Sequence, residues 1–264
     1  MTRSGERLTN TVLYTLAAIG LLFFIVPVVS LLFAMPWSRA LEIIAQREVW
    51  NALGLSLIVS MSAVVLSLIY GFPIAWVMTR CSSSRWTRII RIVVLMPMVL
   101  PPIVGGVALL SAFGANAPIG RVLDLVGVRL PFSMAGAILA VTFVSSPFMI
   151  ITLESGMRSL DRRLEHAGEI LGASRAMVIR RIILPGLRPA LIGGAALTWA
   201  RALGEFGATI AFAGNRPGHT QTLPLAIYQA LQSDMDRALL ISAQLILMTV
   251  CLMIFVRSKG INDE

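Results

Sequence analysis

Residues 154–188 read ESGMRSLDRRLEHAGEILGASRAMVIRRIILPGLR and form the longest polar stretch of a 264-residue chain. A passive connection between two helices could be far shorter. Leu160, Leu164, Ala167 and Leu171 recur at helical spacing, with Asp161, Glu165 and Glu169 on other faces. Gly172 interrupts the pattern. Ser174 is placed to N-cap a basic second helix over 175–184, which Pro185 stops. The spacing predicts a helix–glycine–helix hairpin, charged outside and carrying an apolar stripe. Periodicity alone fits two roles: a hairpin resting on a membrane surface, or a docking element for another subunit.

What flanks this stretch is strongly apolar. Hydrophobic residues make up 57% of the chain and charged residues 13%, with a mean hydropathy of +0.83. A soluble domain carries roughly a quarter charged residues, so this chain cannot coat itself against water and belongs in a bilayer. Disorder and an ordinary cytosolic enzyme are disfavoured. Spans of about 20 apolar residues are expected near 11–34, 52–78, 92–113, 131–153, 189–213 and 238–256, the fifth interrupted by Arg201 and Glu205. The first is too long for a signal-peptide core and lacks a clean cleavage site, so it reads as a retained span. The chain is thus expected to be one all-α, polytopic membrane domain over 1–264 with six transmembrane helices.

The net charge of +9 would suggest nucleic acid in a soluble protein. In a membrane protein it reports orientation, because cytoplasmic loops gather Lys and Arg. Fifteen basic residues fall on the side of 154–188 and six on the other, with Arg201 inside the membrane. Both termini are therefore expected in the cytoplasm, and no nucleic-acid partner. Lys259 is the only lysine and has no glycine-rich context, so the chain carries no ATP-hydrolysing P-loop. The two histidines, His166 and His219, make no zinc helix, and Cys81 and Cys251 read as free thiols. No metal and no catalytic constellation is expected.

Three groups of residues stand out inside or between the spans. Arg201 and Glu205 are four apart, hence on one face of a helix. Burying either charge alone costs at least ~2.5–3.5 kcal/mol, so each wants a partner or water. They form a self-neutralising pair, line an anion path, or do both. Pro97, Pro101, Pro102, Gly105 and Gly106 interrupt a span, which is tolerated where protein or a water-filled cavity satisfies the backbone; tight packing through small residues is the other reading. Gly193 and Gly194 carry only the packing reading. Thr220, Gln221 and Thr222 fall in an outer connection, as solvated loop or as a docking surface.

The spacing in 154–188 resembles the "EAA" loop of the ABC importer permeases, Glu-Ala-Ala, three residues, Gly, nine residues, Ile-x-Leu-Pro. Ala167, Gly172, Ile182, Leu184 and Pro185 match in register; His166 stands for the usual Glu, Gly168 for Ala, and Glu165 offers a carboxylate one place earlier. Residues 100–110 (LPPIVGGVALL), 200–208 (ARALGEFGA) with 212–215 (FAGN), and 220–228 (TQTLPLAIY) resemble the oxyanion branch of that family, closest to the molybdate type. The resemblance covers the chain from about residue 51 onward.

It implies a type I importer permease fold in the bacterial inner membrane, pairing with a second permease copy amid lipid. It further implies that Glu165, His166, Ala167, Gly168, Gly172, Ile182, Leu184 and Pro185 dock on one of two partner ATPases, which hold the ATP and Mg. Arg201, Glu205, Pro101, Pro102 and Gly105 would line or gate the path. Thr220, Gln221 and Thr222 would meet a periplasmic molybdate-binding protein. The chain itself would have no cofactor and be no enzyme. A sulfate/thiosulfate permease is the near alternative, and an ion-coupled secondary transporter the alternative of another class.

Overall fold

The computed structural model of the protein describes residues 3–80 and 84–260. Cys81 and the side chains of Arg3, Arg7, Arg257 and Lys259 lie outside the described residues; Cys251 is an exposed free thiol. Among the described residues every regular element is helical. The order begins α1 (Arg3–Phe33), a 3₁₀ turn Trp37–Arg39, α2 (Ala40–Ile44) and α3 (Arg47–Arg80). It continues with α4 (Ser84–Val99), α5 (Pro102–Phe113), α6 (Pro118–Leu125) and α7 (Met134–Ser159). Then come α8 (Arg162–Ile170), α9 (Arg175–Val178), a π turn Ile179–Ile183, α10 (Leu184–Gly186) and α11 (Arg188–Leu203). The chain closes with α12 (Gly207–Ala213), α13 (Leu223–Ala230) and α14 (Met235–Gly260).

Three of these helices, at Asn10–Phe33, Arg47–Arg80 and Met134–Ser159, are long and apolar enough to cross a membrane. Two bent pairs pass the same test together: Arg85–Val99 with Pro102–Phe113, and Arg175–Gly186 with Arg188–Leu203. The first bend is 117°, so the stretch expected as one span over 92–113 is two helices that meet at a sharp bend. Pro101 and Pro102 are the cause: neither has an N–H to donate, and Pro102 holds Pro101 in extended backbone (φ −53°, ψ 131°). The second bend, 67°, falls at Leu187. Pro185 does not stop the preceding helix as expected. The wider π turn just before it absorbs the missing donor and lets the helix run on to Gly186.

α7 is the centre of the bundle, packed against α3, α4, α5, α11 and α12. Its hydroxyls Thr142 and Ser145 donate back to carbonyls one turn earlier. Along α3, Ser60 accepts the Trp199 indole N–H at 2.8 Å, and Ser56 accepts the Leu223 backbone N–H at 2.7 Å. That second bond fills one of the orphan donors at the start of α13. α1, by contrast, has none of its apolar stretch buried within the chain.

At the end of the bundle formed by the 3₁₀ turn and the start of α14, Arg39 reaches Asp236 at 2.6 Å and Asp234 at 3.3 Å, while Arg237 reaches Glu48 at 2.7 Å. The Arg237 backbone N–H, more than Arg39, holds the Asp234 carboxyl below its usual range. These exposed pairs fix loops rather than the core.

Two glycines let neighbouring helices pack closely. A Cβ on Gly106 of α5 would lie 2.6 Å from the Ala211 Cβ and 2.8 Å from the Ala208 carbonyl oxygen of α12. A Cβ on Gly194 would lie 3.1 Å from Met149 Sδ and 3.3 Å from Thr152 Cβ of α7, whereas Gly193 has open space, so only one of that pair serves packing. Gly106→Ala should therefore force α5 from α12 and lower stability by about 1–3 kcal/mol. Gly193→Ala should be neutral or slightly stabilising. Thermal unfolding of both variants in detergent checks the contrast.

Candidate functional site: a docked hairpin and a junction of broken helices

Residues 154–159 of the polar stretch are the last turns of α7, and residues 160–187 are built as two capped helices around a glycine. Asp161 accepts the Arg163 N–H at 2.9 Å and starts α8; Ser174 accepts the Met177 N–H at 3.3 Å and starts α9. Between them the Ala173 N–H reaches the Gly168 carbonyl and the Gly172 N–H that of Glu169, both at 3.0 Å. This double closure is a Schellman motif, and Gly172 sits at φ +80°, a conformation a side chain resists. Gly168, at the family's Ala position, is buried: a Cβ there would lie 3.0 Å from Ile182 Cδ1 and 3.3 Å from Val178. The two helices close on each other through it.

The expected apolar stripe divides. Leu160 precedes the Asp161 cap and packs against the core beside Gly186, while Leu164, Ile170 and Leu171 stand exposed, the last two at 86%. His166, Ala167 and Pro185 are exposed, and Ile182 and Leu184 half-buried. Glu165 is not at the surface: it pairs with Arg80 at the end of α3, so the exposed first position of the motif is His166. Arg80 and Arg175 both lie over the Trp76 ring, at 5.2 and 5.7 Å from its centroid. Arg162 donates at 2.8 Å to the Thr79 carbonyl, one of the unfilled carbonyls closing α3. Val178, Ile183 and Leu187 are buried with Ala75, Met78, Met149, Leu153 and Met157. The hairpin is thereby fastened to α3, α7 and α11 together. Of these fastenings, sequence inspection missed Arg80, Trp76 and Arg162, which are far from their partners along the chain.

The second group meets where two helices break. α11 ends at Leu203, so Glu205 is not on the helical face expected from its spacing; it lies in the turn before α12. A tight turn, with the Glu205 N–H on the Ala202 carbonyl at 3.2 Å, still brings it to Arg201 at 2.6 Å. Its other oxygen accepts the Ala208 N–H at 2.8 Å, so the same carboxylate caps α12. The Glu205 side chain is 1% exposed and that of Arg201 27%. A Cβ on Gly207 would lie 2.9 Å from Pro102 Cβ and 3.0 Å from the Ile103 nitrogen. The break before α12 therefore abuts the break before α5. Pro101, Pro102 and Gly204 remain exposed at this junction, while Gly105 turns inward against Phe143.

Thr220, Gln221 and Thr222 are buried, which corrects both expectations of them as surface. The Thr220 hydroxyl accepts the Arg216 N–H at 3.0 Å, and the Gln221 amide donates to Asn215 at 2.9 Å and also to Gln229. Thr220 and Gln221 brace the loop before α13 from within, a use that their polarity alone does not reveal. His219 beside them is exposed. Among the described residues no group of three His, Cys, Asp or Glu side chains is placed to hold a metal.

Residues 71–258 match the family described as binding-protein-dependent transport system inner membrane component. The chain is 39% identical to the molybdenum transport system permease protein ModB of Mycobacterium tuberculosis over 93% of each chain. It is 42% identical to that of Escherichia coli K12 over 70% of this chain and 80% of the other. A probable sulfate transport system permease of Prototheca wickerhamii is 35% identical over 86% and 88%. In structure the chain is similar to a bacterial ABC transporter involved in alginate import, with a TM-score of 0.72, 18% identity and 98% and 97% coverage. It is also similar to an inward-facing MetNI methionine ABC transporter, with a TM-score of 0.58, 19% identity and 80% and 94% coverage.

The double bonding of Glu205 sets an order of variants. Glu205→Gln keeps an oxygen for the Ala208 N–H and loses the ion pair; Glu205→Ala loses both. Glu205→Ala should unfold more readily than Glu205→Gln by about 0.5–2 kcal/mol, the range for a lost cap, measured by denaturant unfolding in detergent.

Proposed function

Because the chain belongs to the family of binding-protein-dependent transport system inner membrane components, we propose that it is the permease subunit of an ATP-driven molybdate importer. The observation that carries this reading is the likeness to molybdenum permeases along nearly the whole chain. The sulfate relative at 35% keeps a sulfate/thiosulfate permease as the second reading. In this reading the chain crosses the inner membrane six times, with α14 as the last span, and the excess of basic residues on the 154–188 side supports cytoplasmic termini. Two copies enclose one path. Two ATPase subunits bind the ATP and Mg and dock on the hairpins, and a periplasmic binding protein delivers the anion outside.

The chain's own work in this reading is mechanical. Leu164, Ile170 and Leu171 supply an apolar patch for a groove on the ATPase, and Gly172 sets the angle between the two helices presenting it. When the ATPase dimer closes, the hairpin moves as one body, because Arg80–Glu165 and the core around Leu187 tie it to α3, α7 and α11. α11 leads directly to Arg201 and Glu205. Motion of the hairpin is thereby delivered to the junction, where Arg201 attracts an oxyanion and Glu205 limits how tightly it is held. Weak binding suits a conduit.

The test is uptake of labelled molybdate into vesicles carrying this chain, its ATPase and its binding protein. Uptake should require ATP and survive excess sulfate. Ile170→Asp with Leu171→Asp should reduce it by roughly tenfold or more, since an interface anchor is worth about 2 kcal/mol or above. Suppression by sulfate would move the chain to the sulfate reading, and uptake indifferent to ATP would refute the importer reading.

A further inference from the structure

A cleft of about 530 Å³ between α4 and α7 holds charge that neither the hairpin nor the junction uses. Its walls are Arg91, Leu95, Ile151, Glu154, Ser155 and Arg158. Both arginines donate to a single oxygen, Oε1 of Glu154, with Arg158 bonding through Nε at 3.0 Å and Nη2 at 2.8 Å. The Glu154 side chain is 8% exposed, whereas those of Arg91 and Arg158 are 48% and 54% exposed. A guanidinium has five donors; Glu154 takes one from Arg91 and two from Arg158, and Arg158 Nη2 also reaches the Met78 carbonyl at 3.5 Å, which leaves donors free on both. A buried carboxylate thus holds two like charges side by side, which their mutual repulsion would otherwise part. The trio keeps one net positive charge, and Arg85 and Arg88 add more on the preceding turns of α4.

One turn deeper the cleft changes character. Leu95 follows Arg91 by a turn along α4, and Ile151 precedes Glu154 by a turn along α7, so both point the cleft from a charged mouth to an apolar floor. Paired guanidiniums match the geometry of a tetrahedral oxyanion, bonding two of its oxygens at once.

We propose that this cleft binds a tetrahedral oxyanion through Arg91 and Arg158, with Glu154 as the positioning residue that sets their spacing. The anion is the phosphate of an anionic phospholipid whose chain lies along Leu95 and Ile151, or a free oxyanion at the inner mouth of the path. The site rests on the membrane reading above only for placing this end of the span at the headgroup level.

The test needs neither ATP nor transport, so its outcome is separate from that of the uptake assay. The full chain is placed in nanodiscs of mixed phosphatidylglycerol and phosphatidylcholine, and retained lipid is counted by native mass spectrometry. In phosphatidylcholine discs, labelled inorganic phosphate is titrated by equilibrium dialysis. The wild-type chain should select phosphatidylglycerol, bind phosphate, or both, and Arg91→Gln with Arg158→Gln should weaken the occupied arm by roughly tenfold or more. Loss confined to the lipid arm identifies a headgroup; loss in the phosphate arm identifies a free anion. If the paired variant does not fold, the wild-type arms still decide. A wild-type chain that neither prefers phosphatidylglycerol nor binds phosphate overturns the proposal, as does a folded paired variant that matches it.

Discussion

Inside a bilayer the backbone has no water to bond, so a span may break only where protein groups or an enclosed cavity take over the freed donors and acceptors. This chain breaks two apolar helical stretches, before α5 and before α12, and sets the breaks against each other. Gly207 abuts Pro102, and Gly106 lies on Ala208 and Ala211, so each short helix is covered by the other at backbone distance. Glu205 completes the arrangement, bonding the first turn of α12 with one oxygen and Arg201 with the other. Removing any of these small or doubly bonded groups would leave unpaired backbone or an unpaired charge in an apolar medium, where the cost is highest.

The same economy of contacts links this junction to the polar hairpin. α11 is the shared part: its start is buried with α3, α7 and the second hairpin helix, and its end carries Arg201. The 67° bend at Leu187 turns a helix lying across the end of the bundle into one that enters it. Interiors packed this closely pass displacement on rather than absorb it. In the proposed importer, a push on the exposed Leu164, Ile170 and Leu171 would therefore be passed to where the helices break.

Much of this was legible from residues alone. Apolar run length reports the surrounding medium, which is why the long spans emerge from composition, and the Gly172 hinge and Ser174 cap follow from local backbone chemistry. What was not legible depends on partners distant in sequence. The prolines at 101 and 102 announce a break, but not that α12 packs against it through Gly106 and Gly207. Spacing put Glu205 on the helix of Arg201, but the helix stops two residues short because the carboxylate serves the next one. Thr220, Gln221 and Thr222 have the composition of a solvated loop yet are buried, the first two bonded to Arg216, Asn215 and Gln229. Glu165 looked available to a partner until Arg80, 85 residues earlier, claimed it.

If motion of the hairpin reaches the junction as proposed, the junction opens to opposite sides of the membrane in turn. Gly204 is exposed there, between the end of α11 and Glu205. A cysteine at that position, in a chain with Cys81 and Cys251 replaced by serine, can be challenged with a membrane-impermeant thiol reagent from each side. In the complex with its ATPase, reactivity should switch from the cytoplasmic to the outer side when nucleotide is trapped. Equal reactivity from the same side in both states would contradict the account.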